Sequence, residues 1–196
     1  MREKPDSAEA HSSWGLLLEN EGRHDDAISH YLQALALKPD YAVAHNNLGV
    51  ALSKEGRFEE AIDHYQEALR LDAAYADAHC NLGMELGRRG QLDQATTELQ
   101  LALKLQPNDA ETHNNLGVVF EQKGLLDPAI AQYAQALKAK PDSAQAHFNL
   151  GVAFSRKGEL DEAIREFQQA LKLMPNYAAA QTNLAAVLAF KKSREH

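Results

Sequence analysis

Cysteine, basic charge and long apolar runs are all scarce in this sequence. The single cysteine among 196 residues, Cys80, cannot form an internal disulfide, and no Cys/His metal-ligand spacing surrounds it. There are 20 lysines and arginines against 28 acidic residues. The resulting net charge of −8 disfavours nucleic acid or an anionic membrane as the main partner, because both bind basic surfaces. The longest apolar run, residues 184–190, is too short to cross a bilayer.

Signals for export and for catalysis are also missing. The charged N-terminus, residues 1–7, has no apolar segment of the kind that a secretory signal needs. The sequence has no GxSxG motif, no phosphate-binding glycine loop and no paired catalytic carboxylates. We therefore expect a cytoplasmic protein that is not an enzyme and that uses no cofactor or metal. A content of 44% apolar and 24% charged residues excludes wholesale disorder.

What the sequence does have is an internal repeat. Ten of its eleven glycines form two series with a constant step of 34 residues. The first series is Gly15, Gly49, Gly83, Gly117 and Gly151, and the second is Gly22, Gly56, Gly90, Gly124 and Gly158. A frame that starts at Ala8 gives five repeats without insertion: 8–41, 42–75, 76–109, 110–143 and 144–177. Around them we predict a flexible N-terminus (1–7), a capping helix (178–190) that begins a sixth repeat, and a flexible tail (191–196).

Each repeat has the pattern of two helices, and positions are numbered here from the first residue of the repeat. In the second repeat, His45, Leu48 and Leu52 mark one face of the first helix. The glycine at position 15 can adopt the left-handed cap that ends this helix. Aspartate at position 18 suits the cap of the second helix, and the proline at position 32 ends it. The second repeat has Ala73 instead of this proline, so we expect its second helix to run slightly longer.

The small residues explain how the helices pack. Glycine at position 8 and alanine at position 20 let the two helices of a repeat approach closely beside a large residue at position 24. One helix pair cannot bury its own apolar face, whereas stacked pairs bury a continuous core. These patterns predict an all-α, right-handed superhelical solenoid of five helix-turn-helix repeats with a C-terminal capping helix.

The repeat resembles the tetratricopeptide repeat, which has Leu-Gly early, Ala-x3-Phe/Tyr midway, a later alanine and a closing proline. The match covers residues 8–177 and the first half of a sixth repeat. One departure is that the family's usual tryptophan at position 4 is replaced by His11, His45, His79, His113 and His147. The resemblance implies a non-catalytic interaction scaffold whose first helices line a concave groove that holds a peptide, and therefore a protein or peptide partner.

Asparagines at position 6 are the main candidates for contacts in this groove. They are Asn47, Asn81, Asn115, Asn149 and Asn183. One asparagine side chain can bond both the C=O and the N–H of a passing peptide unit. The series looks like the asparagine ladder in the repeat superhelix of O-linked N-acetylglucosamine transferases. The alternative is that these asparagines are structural and bond solvent or a neighbouring helix.

Neighbouring positions supply further candidates for the groove. The polar and aromatic ones at position 5 are Asn46, Asn114 and Phe148; the apolar ones at position 9 are Val50, Met84 and Val118; and the cations at position 13 are Lys54, Arg88 and Arg156. Each set has a structural alternative, because position 9 can pack between first helices and surface charges are often simply solvated. Lysine is missing at positions 2 and 5, so the carboxylate clamp of chaperone cofactors is not expected.

The nine histidines do not form a metal-binding pattern. No HExxH motif or i, i+4 histidine pair occurs, and histidines 34 residues apart lie on different repeats. We expect the position-4 side chains to pack against the second helix of the preceding repeat. Five partly buried imidazoles would lower stability at acidic pH if burial lowers their pKa.

Two other functions remain open at this point. The capping helix is rich in alanine and presents Leu188 and Phe190, so the chain could self-assemble as a homo-oligomer through its terminal helices. The asparagine series also fits the targeting arm of a larger enzyme, such as a glycosyltransferase.

Overall fold

The computed structural model describes residues 7–193, and over this range it contains eleven α-helices and no strand. The helices are α1 (Ala8–Asn20), α2 (His24–Leu37), α3 (Ala42–Lys54), α4 (Phe58–Leu71), α5 (Ala76–Arg88), α6 (Leu92–Leu105), α7 (Ala110–Gln122), α8 (Leu126–Ala139), α9 (Ala144–Lys157), α10 (Leu160–Leu173) and α11 (Ala178–Ser193). They form two compact units, the first ending at Gln94 and the second beginning at Ala95.

Each 34-residue repeat contains one pair of these helices, and α11 stands alone as the first helix of the sixth repeat. This is the all-α repeat architecture that the sequence predicts. The helix α11 continues to Ser193, three residues beyond the predicted end of the capping helix at residue 190. The predicted flexible termini lie mostly outside the described residues. Ser7 is described, and its hydroxyl accepts a hydrogen bond from the Ala10 N–H at 3.1 Å, which caps α1.

The first helix of a repeat ends at a left-handed glycine, as the sequence predicts. Gly56 has a φ of +76°, and the next N–H, that of Arg57, donates to the Leu52 carbonyl at 2.9 Å. This six-to-one hydrogen bond is the Schellman arrangement, which satisfies a carbonyl at the helix end. The other position-15 glycines have φ values between +75° and +86°.

Two predictions about helix ends are wrong. The aspartates at position 18, such as Asp25 and Asp127, lie in the first turn of the second helix, and the cap residues there make no side-chain hydrogen bond. Their charge still favours the positive end of the helix dipole. Nor is α4 longer than its counterparts, although Ala73 stands where other repeats have proline. It ends at Leu71, and the Asp72 carboxylate accepts a hydrogen bond from the Ala74 N–H at 3.0 Å, which forms the turn without proline.

The core of every repeat except the third consists of small residues packed against one large ring. Tyr31, Tyr65, Tyr133 and Phe167 at position 24 are at most 1% exposed, and the alanines at position 20 are completely buried. A Cβ atom added to Gly49 would lie 2.6 Å from Cε1 of Tyr65, so only glycine fits there. The helices of a repeat therefore cross at a glycine.

The first helices of consecutive repeats contact one another within each unit. In the first unit α3 contacts both α1 and α5, and in the second unit α9 contacts both α7 and α11. We call the surface formed by positions 5, 6, 9 and 13 of these helices the first-helix face. Among the described helices, none is long and apolar enough to span a membrane.

Candidate functional site

In the first unit, asparagines link α3 to α5 on the first-helix face. The Asn81 side-chain amide donates to Oδ1 of Asn46 at 2.9 Å, and the Asn46 amide donates to Oδ1 of Asn47 at 3.4 Å. Asn46 is only 5% exposed, whereas Asn47 and Asn81 are half-buried. Asn46 thus supports the two asparagines that face outward.

The second unit repeats this arrangement on α7 and α9. The Asn149 amide donates to Oδ1 of Asn114 at 2.9 Å, across 35 residues of sequence as in the first unit. Oδ1 of Asn149 also accepts a hydrogen bond from the Gln145 side chain at 2.9 Å. Asn115 is half-buried on the same face. Position 6 of one repeat therefore bonds position 5 of the repeat before it in both units.

These bonds decide what the asparagines can do chemically. A side-chain amide carries two hydrogens and a carbonyl oxygen with two lone pairs. The bond to the neighbouring helix uses one hydrogen and fixes the orientation of the group. The second hydrogen of each amide and the carbonyl oxygen of Asn81 can still serve a ligand. The Asn149 oxygen keeps one lone pair for a ligand, because the other accepts from Gln145. The same bonds join neighbouring repeats, so they also give the asparagines the structural role that the sequence left open.

The series changes at its last member. Asn183 donates its side-chain amide to the backbone carbonyl of Ala179 in its own helix, at 2.9 Å. The repeat before it has Phe148 at position 5, where Asn46 and Asn114 accept the equivalent bond. A phenyl ring cannot accept that bond as an amide oxygen does, and α9 and α11 are therefore not linked through asparagines.

A pocket of about 430 Å³ lies in the second unit, where the asparagine link between α9 and α11 is missing. The sequence predicts five of its lining residues as ligand contacts: Val118, Phe148, Asn149, Arg156 and Asn183. The other four are Glu121, Gln122, Tyr133 and Val152, and of these the sequence also places Glu121 and Val152 on the groove side. Val152 shares position 9 with Val118, so the repeat frame contained the signal for it.

The other apolar candidates lie in the first unit. Val50 on α3 and Met84 on α5 are half-buried at position 9, as is Val118 on α7. Half-burial leaves part of each side chain on the first-helix face while the rest packs between helices. Their burial is therefore compatible with either role considered from the sequence.

The three cations at position 13 are not free charges, because each is paired with a carboxylate. Arg156 contacts Glu121 at 2.7 Å. Lys54 contacts Glu19 at 2.6 Å, and Arg88 contacts Glu85 at 2.8 Å. The carboxylates are the buried partners: the side chains of Glu19 and Glu85 are 6% and 0% exposed. The sequence predicts the cations as ligand contacts but does not reveal that buried carboxylates hold them.

In two of these ion pairs the carboxylate also accepts a hydrogen bond from a tyrosine. The Tyr31 hydroxyl donates to Glu19 at 3.1 Å, and the Tyr133 hydroxyl donates to Glu121 at 3.0 Å. Burial and the neighbouring carboxylate raise the pKa of both tyrosines well above its ordinary value, so the phenols remain protonated donors. A carboxylate at position 12 thus links the second helix of its repeat to the first helix of the next repeat.

The position-4 histidines lie against the second helix of their own repeat, which corrects the prediction that they contact the preceding one. His45 Nδ1 is 2.9 Å from Nδ1 of His64, and His45 Nε2 is 3.0 Å from the carbonyl oxygen of Pro39. In the second unit, His147 Nδ1 is 2.7 Å from a carboxylate oxygen of Glu166. Across residues 7–193, no three His, Cys, Asp or Glu side chains are grouped so that they could hold a metal ion.

The helix α11 exposes a leucine at a position that is buried in the first unit. Leu188 at position 11 is 46% exposed, whereas Leu18 and Leu52 at the same position are 7% and 2% exposed. Phe190 is also exposed, at 54%.

Comparison with known families places the repeats in one class. Models described as "Tetratricopeptide repeat" match residues 6–74 and 126–178, and one described as "TPR repeat" matches residues 85–124. No curated protein sequence matches the chain significantly.

Solved structures of similar architecture are numerous. YrrB, described as a TPR protein with an unusual peptide-binding site, is 27% identical with a TM-score of 0.70, and the match covers 92% of this chain and 93% of YrrB. TTC0263, a TPR protein of Thermus thermophilus, is 25% identical with a TM-score of 0.76 and coverages of 93% and 99%. MamA is 27% identical with a TM-score of 0.71 and coverages of 87% and 93%. These likenesses support the solenoid class predicted from the sequence.

Proposed function

Because this chain belongs to the tetratricopeptide repeat family, we propose that it is a non-catalytic scaffold that binds an extended peptide segment on its first-helix faces. Proteins with this repeat are interaction modules, and the partner proposed here is a protein or peptide. The description of YrrB as a protein with a peptide-binding site supports the choice of ligand.

The observation that carries the proposal is the pre-oriented asparagine pair in each unit. The amides of Asn81 and Asn149 are each held at 2.9 Å by the preceding repeat, which fixes the direction of the remaining hydrogen and carbonyl oxygen. Groups that are already oriented lose less entropy when a ligand binds. An asparagine side chain that hydrogen-bonds the main chain of a peptide can do so whatever the side chains of that peptide are.

The spacing of the helices fits an extended ligand. Packed helices lie roughly 8–10 Å apart, and an extended chain rises about 3.3 Å per residue. One asparagine per repeat therefore reaches the peptide about every third residue. A peptide on α7, α9 and α11 would meet Asn115, Asn149 and Asn183 in turn.

The experiment is a selection from a display library of random ten-residue peptides, followed by titration of the recovered peptides against Asn81→Ala and Asn149→Ala. We expect each variant to weaken its ligands by about 2- to 12-fold, since a net hydrogen bond contributes about 0.5–1.5 kcal/mol. Asn108→Ala, in an exposed turn, is the matched control and should bind normally. If the asparagines are only structural, the variants will melt earlier but bind peptides as tightly as the wild type. That result would overturn the proposal.

A second candidate function is self-association through α11, favoured by the exposure of Leu188. Position 11 is buried in the first unit, and α11 of another copy could bury Leu188 here. Light scattering of the wild type and of Leu188→Glu tests this: a dimer that the variant abolishes supports it, and a wild-type monomer contradicts it. A cytoplasmic location stays a prediction from the sequence.

A further inference from the structure

We infer that the pocket in the second unit takes one large, uncharged apolar side chain of the bound peptide. This inference rests on the proposed function, because it specifies what the peptide must contain. The pocket measures about 430 Å³, within the range of about 300–1,000 Å³ that is usual for sites that bury small ligands.

Part of the pocket lining is apolar because of a change at position 5. Ser12, Asn46 and Cys80 occupy this position in the first unit, and each is at most 9% exposed. In α9 the position carries Phe148, a half-buried ring that lines the pocket.

Phe148 is held in place by two other rings. Its centroid lies 5.9 Å from that of Phe167 and 4.9 Å from that of Tyr177, both in tilted contacts. Pairs of this geometry stabilise the arrangement beyond simple burial. Tyr177 is itself fixed, since its hydroxyl donates to the Gln145 side chain at 2.8 Å. The apolar wall therefore exists before a ligand arrives.

Val118 and Val152 complete the apolar lining from α7 and α9. Both are half-buried and pack against core residues behind the pocket. An occupant would meet valine methyl groups on one side and the Phe148 ring on the other. This apolar part of the lining suits leucine, methionine or phenylalanine.

The rim of the pocket explains why the occupant is a peptide side chain and why it is uncharged. Asn149 and Asn183 stand at the rim, so the main chain on either side of an inserted side chain can reach an amide. The charge of Arg156 is already balanced by Glu121 at 2.7 Å, and this pair leaves no net charge at the rim. An acidic side chain would have to displace Glu121 from Arg156.

The test uses peptides recovered from the display library and resynthesised with each apolar residue exchanged in turn for Phe, Leu, Ala or Glu. With the wild type, one position should favour Phe or Leu over Ala by about 10- to 100-fold, as expected for a buried apolar side chain. Phe148→Asn restores the residue found in α3 and α7, and it should reduce this preference to within about 3-fold. Phe148→Leu keeps an apolar wall and should retain most of the preference.

The outcomes separate this inference from the proposed function. Peptides that bind in an asparagine-dependent way without any apolar preference would overturn the pocket and leave the proposed function intact. Apolar selection that survives in Asn149→Ala, with no loss of affinity, would overturn the asparagine mechanism and support the pocket. Recovery of no binding peptide, or preference for Glu at the selected position, would overturn the inference.

A second variant covers the case in which Phe148→Asn does not fold, as judged by its helical circular dichroism. Val118→Thr keeps the shape of the side chain and adds one hydroxyl to the pocket. It should reduce the preference for Phe or Leu by about 3- to 10-fold. An unchanged preference in this folded variant would place the selecting site elsewhere and contradict the inference.

Discussion

At the scale of single residues, the contact between position 8 and position 24 determines how close the helices of a repeat come. The Cε1 atom of Tyr65 lies 2.6 Å from where a Cβ of residue 49 would be, and the same clash arises at Gly15, Gly117 and Gly151. The ring fills the space that a side chain at position 8 would need. Close packing of this kind makes even one added methyl group costly.

We predict that Gly49→Ala destabilises the protein by about 1–3 kcal/mol, because the Tyr65 ring must shift. A smaller side chain at position 24 leaves room for the added methyl group, and the third repeat has Leu99 at this position. Gly49→Ala combined with Tyr65→Leu should therefore be more stable than the sum of the two single changes. Thermal melts of the four proteins test this. A Gly49→Ala melt equal to the wild type would show that the ring yields freely.

The buried carboxylates give a second residue-scale prediction. Lys54→Met leaves the 6%-exposed Glu19 without its cation, so we expect a loss of about 1–3 kcal/mol in stability. Lys38→Met is the matched control, because its partner Glu9 is 61% exposed and such surface pairs contribute little. Denaturant unfolding measures both. Equal effects of the two changes would contradict the structural role given to Glu19.

At the scale of the helix pair, histidines connect the two helices of a repeat in the first unit. His11 and His30 lie 3.1 Å apart, and His45 and His64 lie 2.9 Å apart, in each case between Nδ1 atoms. One hydrogen fits between the two Nδ1 atoms of such a pair, but two hydrogens do not. The second unit replaces the partner by Gln132 or Glu166, neither of which repels a protonated histidine.

We predict from this difference that stability falls at acidic pH. Burial, and then the neighbouring His45, lower the pKa of His64 below its ordinary value of 6.5, while the nearby carboxylates of Asp63, Glu60 and Glu67 raise it in part. The unfolded chain therefore binds protons more readily, and stability that is complete above about pH 6.5 is lost as the pH falls below it.

Melts at about pH 7.5 and pH 5.5 measure this effect. His64→Gln copies the pairing of His113 with Gln132 and should reduce the acid sensitivity. Glu166→Gln in the second unit is the control: it leaves both histidine pairs of the first unit intact, so it should not reduce the sensitivity. Coinciding melts of the wild type at the two pH values would contradict the prediction.

The helix pair also shows what the sequence could predict. Glycine and alanine at fixed spacing were sufficient for the helix count and for the left-handed ends, because these features depend on backbone geometry. The end of α4 could not be inferred from the absence of proline, since Asp72 forms the turn by a local hydrogen bond. The direction of the histidines depends on which neighbour lies opposite position 4, and that is a property of packing.

At the scale of the whole molecule, one pattern of contacts recurs in both units, and the asparagines follow it. The repeat frame was enough to select Asn81 and Asn149 as candidates. The frame could not show that their amides are bonded to the preceding repeat, because that depends on the distance between first helices. The pocket has a partial signal in the sequence, since Phe148 departs from the small or polar residues at position 5 in the other full repeats.

The central claim is that asparagines hold the main chain of an extended peptide. The most direct measurement is a scan of one selected ligand in which each backbone amide in turn is N-methylated and the affinity is determined by calorimetry. We predict that methylation weakens binding at positions about three residues apart, and that these positions lose their sensitivity in Asn149→Ala. Uniform tolerance of methylation along the peptide, or a pattern unchanged in Asn149→Ala, would contradict the claim.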